Sequence, residues 1–233
     1  MYQLPLPVKH RFPMEKYDLL PRQLMHEGTC TPEDFFTPTA LDRATIERIH
    51  HSEYIDKLLA LDLDKKEARK IGFPLSKQLI DREIIIAGGT IQGALKALEH
   101  GIAMNIAGGT HHAFKAHGEA FCLFNDQAIA AQYLLDQELV DTILIVDLDV
   151  HQGNGTAEIF ESNSKVFTFS MHGEKNYPFH KEKSDLDIAL EDGCSDEVFL
   201  NILKETLPKL IAQNQPDFIF YLCGVDVLET DKL

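Results

Sequence analysis

The stretch Ile143-Leu144-Ile145-Val146-Asp147-Leu148-Asp149-Val150-His151-Gln152-Gly153-Asn154-Gly155 limits the possible folds more than any other part of the chain. Its four leading apolar residues occupy both faces of an extended segment, as in a strand buried in a parallel sheet with helices on either side. Residues two apart face the same way in a strand, so Asp147, Asp149 and His151 share one face. A lone acid there would read as a cap for the following helix. Two acids and a histidine at alternate positions need partners, because buried charge without compensation is costly. A cation held by Asp149 and His151 supplies that compensation, at the strand end where open α/β sheets bind their ligands.

The surrounding pattern supports one α/β domain over residues 1–233, a length sufficient for a well-filled core. Before residue 100 the chain reads as helical. A helix follows His10-Arg11-Phe12-Pro13-Met14-Glu15-Lys16-Tyr17 and is interrupted or capped at Pro21. Another covers Thr45 to Leu61 with Ile46, Ile49, Tyr54 and Leu58 inward, and a long one covers Leu79 to Leu98, its Gly88-Gly89 allowing close packing. The charge run Lys65 to Lys70 reads as a solvated face. Beyond Ile102 strands alternate with helices: strands at Ala103–Ala107, Thr142–Asp147, Val166–Ser170 and Phe218–Cys223, helices at Asn125–Leu135 and Thr156–Glu161, and one capped by Ser195. In that last helix Phe199, Leu203, Leu207 and Leu210 form a stripe, and Pro208 predicts a kink or an early end. This order implies a central parallel sheet with right-handed crossovers.

A formal net charge of −15 excludes nucleic acid as an expected partner. Four cysteines form no CxxC pair, which suits a reducing compartment. The start Met1-Tyr2-Gln3-Leu4-Pro5 lacks the charge and apolar core of a signal peptide, and no apolar run reaches membrane-spanning length. The expected setting is the cytoplasm, with no membrane partner.

A catalytic zinc takes three protein ligands and keeps an open position. Asp226, following the apolar run at 218–223, is the natural third ligand beside Asp149 and His151. Two carboxylates and an imidazole suit zinc, with Fe(II), Co(II) and Mn(II) as open alternatives. The loop Gly108-Gly109-Thr110-His111-His112 follows another expected strand and brings two imidazoles to the same edge. One would act as general base and the other as its electrostatic or proton-transfer partner, with Asp147 and Asn154 as acceptors that fix their tautomers.

In order along the chain, Gly-Gly-Thr-His-His (108–112), Phe-Cys-Leu-Phe-Asn-Asp (121–126), Asp-Leu-Asp-Val-His-Gln-Gly-Asn-Gly (147–155) and Gly-Val-Asp (224–226) resemble the histone deacetylase superfamily. The segment at 10–17 is similar to its bacterial and class IV-like members. The resemblance implies the arginase–deacetylase fold, a three-layer α/β/α arrangement, and zinc-dependent hydrolysis of acetylated amines carried on a protein, a polyamine or a small metabolite. It implies Asp149, His151 and Asp226 as zinc ligands, His112 as general base, His111 as its companion, and Asp147 and Asn154 as their partners. Asn154 stands where some members have Asp. It further implies a structural potassium ion on Asp147, Asp149, His151, Ser170 and Met171, and a substrate tunnel walled by Phe121 and Phe179.

Two departures bear on activity. Ala120 replaces the family's usual Gly, which predicts a narrower tunnel. The chain also ends soon after Asp226, whereas relatives continue to a glycine-rich loop whose Tyr bonds the developing oxyanion. None of the six tyrosines here lies in such a motif. The expectation is a truncated chain, or one that has lost part of its catalysis, with weak or no turnover. Its strand at 218–223 would be a bare edge, leading to poor solubility or pairing with another copy. Rival readings are a non-catalytic module that retains the pocket, and a two-manganese ureohydrolase, for which the carboxylates are too few.

Overall fold

In the computed structural model residues 3–231 are described; Met1-Tyr2 and Lys232-Leu233, on which the readings of both chain ends partly rest, lie outside them. The helices are α1 (Lys16–His26), α2 (Arg43–Ile46), α3 (Ser52–Leu59), α4 (Lys65–Ile71), α5 (Lys77–His100), α6 (Asp126–Asp136), α7 (Asn154–Phe160) and α8 (Asp196–Asn214). The strands are β1 (Ile143–Asp147), β2 (Val166–Gly173), β3 (Leu186–Leu190) and β4 (Phe218–Leu222). They form one parallel sheet in the order β3-β2-β1-β4, with Asp147 of β1 level with Ser170 of β2 and Leu222 of β4.

Strand β1 is buried along its whole length, and its alternate residues feed two cores. Ile143 and Ile145 pack with Leu79, Ile86, Ile129 and Leu134 of α5 and α6 on one face. Leu144 and Val146 pack with Phe169, Met171 and Leu210 on the other, beneath Phe199, Leu203 and Leu207 of α8. The result is the expected three layers, with the acids of β1 emerging between them.

Several expectations need correction. Ala103–Ala107 is not a strand: Asn105 donates to the Ile86 carbonyl at 2.9 Å and to Thr90 Oγ1 at 2.6 Å, and accepts from the Ala107 N–H at 3.1 Å. Its polar groups are committed to α5, and Ile102 and Met104 are 83% and 67% exposed. The helix read over 45–61 is two helices, because the His51 N–H leaves the helical ladder for the Lys115 carbonyl at 2.8 Å. Helices α1 and α8 run through Pro21 and Pro208, neither of which has an N–H to donate to the helical ladder. Helix α7 begins at Asn154, two residues early, and β3 had gone unread. The charge run forms α4, with Lys65, Lys66, Arg69 and Lys70 exposed as expected and with Asp64 and Glu67 making a reciprocal capping box at its start.

Packing of α5 explains its glycines unequally. A Cβ on Gly88 would lie 2.0 Å from the Thr39 carbonyl oxygen, whereas one on Gly93 meets nothing within 4 Å. Alanine is favoured over glycine in a helix by about 1 kcal/mol, but overpacking against backbone costs about 1–3 kcal/mol. Gly93→Ala should therefore raise Tm and Gly88→Ala lower it. Thermal melts of the two variants check this; a rise in both would contradict the contact between α5 and Thr39.

Candidate metal and catalytic site

The carboxyl ends of β1 and β4 bring Asp149, His151 and Asp226 together, with one donor atom from each within 4.8 Å of the others. His151 Nδ1 lies 2.8 Å from Asp149 Oδ1 and 3.1 Å from Asp226 Oδ2. Burial works against charge on His151, but its bonds to the two carboxylates prevail and lift its pKa to about 9. The backbone also holds the acids, with the His151 N–H on Asp149 Oδ1 at 2.8 Å and the Val150 N–H on Asp226 Oδ1 at 3.2 Å. Gly224 makes room: a Cβ there would sit 2.1 Å from Asp149 Oδ2 and 2.8 Å from Asp226 Oδ1. Two carboxylates and one imidazole converging in a half-buried cleft fit a divalent ion of zinc's type. Among the described residues this is the one such group.

The two histidines of the glycine-rich loop lie beside it with ring centroids 4.0 Å apart, and the His112 ring is 5.9 Å from that of His151. His111 Nδ1 lies 2.6 Å from Asp147 Oδ2. Burial opposes charge on His111, but Asp147 and then Asp149 outweigh it, lifting its pKa to about 9. His112 Nδ1 lies 2.7 Å from Asn154 Oδ1. That same Oδ1 accepts the Gly155 N–H at 3.1 Å, which identifies it as the amide oxygen. His112 Nδ1 must therefore carry the proton, leaving the Nε2 lone pair free. Burial, and then the charge on His111, holds His112 well below the usual imidazole range. The two neighbours are thus shifted in opposite directions, His111 toward the charged form and His112 toward the neutral one.

Asp126, at the start of α6, organises the loop beneath the two histidines. It is buried, and its carboxylate accepts the Thr110 N–H at 2.8 Å, the Gly109 N–H at 3.1 Å and Thr90 Oγ1 at 2.6 Å. It therefore fixes the loop that carries both histidines to α5. Ser170 and Met171 are buried on β2, with Ser170 paired to Asp147 of β1.

The tunnel reading needs correction at Phe179. Phe179 is 84% exposed and walls nothing. Tyr177, two residues earlier, stands edge-on to His112 at 5.0 Å between ring centroids. The aromatic lies next to a proline in either case, and no periodicity in the loop distinguishes the two positions. Phe121 is half-buried and packs on Phe73 at 5.0 Å and Phe12 at 5.1 Å. It follows Ala120 in a turn where both have positive φ, +43° and +67°. The turn is pinned to the end of α4 by the Ala120 N–H on the Lys70 carbonyl at 2.9 Å and the Phe121 N–H on the Ile71 carbonyl at 2.7 Å. Left-handed backbone at a residue with a Cβ costs about 1 kcal/mol or more. Ala120→Gly should therefore raise Tm by roughly 2–4 °C in a domain of this size. An unchanged or lower Tm by calorimetry would show that the turn carries no such strain.

The profile of the histone deacetylase domain matches residues 10–233. A protein of the cyanobacterium Picosynechococcus is 47% identical over 232 residues, covering 100% of this chain and 77% of the relative. Histone deacetylase clr6 of Schizosaccharomyces pombe is 32% identical over 227 residues, covering 84% of this chain and 54% of its own length. The crystal structure of a histone deacetylase homolog from Aquifex aeolicus superposes with a TM-score of 0.81 at 25% identity, covering 97% of this chain and 66% of the homolog.

Proposed function

Because the chain belongs to the histone deacetylase family, we propose that it is part of a zinc-dependent amidohydrolase that removes acetyl groups from acetyl-lysine or a related acetylated amine. The observation that carries this reading is the neutral His112, with its free Nε2, beside the convergent Asp149, His151 and Asp226. A ureohydrolase site of two manganese ions would need more carboxylates than converge here. In the proposed site Asp149, His151 and Asp226 hold zinc, with Fe(II) as the alternative the same donors accept. The bound ion would polarise the acetyl carbonyl and make a neighbouring water more acidic. His112 Nε2 takes the proton of the attacking water, and Asn154 keeps the proton on Nδ1 so that this lone pair stays available. His111, held as an imidazolium by Asp147, stabilises negative charge that builds up on the substrate and is placed to return a proton to the leaving amine. A structural potassium ion is proposed on Asp147, Asp149, His151, Ser170 and Met171, where it would offset the acids between β1 and β2. The acetylated group is carried on a protein, a polyamine or a small metabolite.

In zinc-loaded protein His112→Ala should retain the metal and lose about a hundred- to ten-thousandfold in rate on an acetyl-lysine peptide. His111→Ala should leave a measurable residual rate. Metal content by plasma emission, together with steady-state rates, checks both. A His112→Ala rate within a few-fold of wild type would remove the general-base assignment.

A further inference from the structure

Glu119, in the turn before Phe121, serves none of the steps above, yet three side chains converge on it. Its Oε2 accepts the Tyr177 hydroxyl at 2.7 Å, its Oε1 accepts Lys70 Nζ at 2.6 Å, and His117 Nε2 lies 3.2 Å from Oε1. Its side chain is 15% exposed. These contacts, His117 foremost, hold its pKa down to about 2, so it accepts as a carboxylate at any working pH.

The residue it holds stands against the proposed chemistry. The Tyr177 ring is edge-on to His112 at 5.0 Å and to His151 at 6.2 Å. On either side of Tyr177, the carbonyls of Asn176 and Pro178 accept from Lys181 Nζ at 2.6 and 2.7 Å. The ring is thus fixed at both ends, its main chain by Lys181 and its hydroxyl by Glu119. Lys70 extends the linkage into α4, whose last carbonyls also hold Ala120 and Phe121. A tyrosine lining an acyl slot carries a risk: without an acceptor in the protein, its hydroxyl is left unpaired or competes for the amide of the substrate.

We propose that Glu119 is a positioning residue that sets substrate affinity by holding the Tyr177 hydroxyl out of the acyl slot and the Tyr177 ring against His112. The proposal rests on the deacetylase reading of the site. Its effect belongs to binding, so it should appear in KM and Kd while kcat changes little.

The test is a double-mutant cycle in zinc-loaded protein: wild type, Glu119→Leu, Tyr177→Phe and the double variant. Kd for a peptide bearing one N-acetyl-lysine is measured by calorimetry, with KM and kcat beside it. Glu119→Leu should weaken Kd and KM about tenfold, the size of one hydrogen bond to a charged group, with kcat within about threefold. In the Tyr177→Phe background, where no hydroxyl needs holding, the same replacement should change Kd less than about twofold. Glu119→Gln, which keeps an acceptor, should recover most of the affinity, and Glu119→Ala, which also removes the acceptor, replaces Glu119→Leu in the cycle if the latter does not fold. Equal losses in both backgrounds, or a loss confined to kcat, would overturn the proposal while leaving the deacetylase reading intact. A folded, zinc-loaded wild type that neither binds nor hydrolyses the peptide would overturn the deacetylase reading, and this proposal with it.

Discussion

Everything in the site follows from placing negative charge at the buried end of β1. Asp147 and Asp149 leave a fully apolar strand between two packed layers, where water cannot solvate them well. Uncompensated carboxylates in such a place would cost more than a domain of this size can spare. Each therefore has a cationic or donor partner: His111 for Asp147, and His151 with backbone N–H groups for Asp149. Asp226 reaches the same point from β4, which the parallel register places directly beside β1. The geometry that would hold a divalent ion is thus a consequence of how the charge is neutralised.

Around this centre the chain spends buried polar groups on position. Asp126 fixes the histidine loop to α5, Asn154 sets the tautomer of His112, and Glu119 ties Tyr177 to α4. None of the three is among the converging metal donors, and each acts through a neighbour. The helices before residue 100 thereby contribute to the site although none of them lies in the sheet.

The sequence made the centre legible because its signals are local. Alternation along 147–151 puts three donors on one face, and the double histidine follows glycines that demand a loop. The arginase–deacetylase fold expected from the ordered motifs is the fold observed, and the Aquifex homolog shares it. What could not be read depended on tertiary partners. Ala103–Ala107 has the composition of a strand, but Asn105 bonds to α5 instead of a ladder. The apolar spacing over 45–61 is continuous, yet the His51 N–H finds the Lys115 carbonyl, a partner remote in sequence. Phe179 and Tyr177 both adjoin Pro178, and the hydroxyl of Tyr177 finds the Glu119 carboxylate, far away in sequence, while Phe179 stays exposed.

The central proposal is that Asp149, His151 and Asp226 together hold one divalent ion. Zinc-edge anomalous diffraction from crystals of the zinc-loaded protein tests it most directly. The account predicts one strong peak per chain, within coordination distance, about 2.0–2.2 Å, of one atom from each of the three residues. No peak at that point, or a peak bound by other residues with these three still bonded to one another, would contradict it.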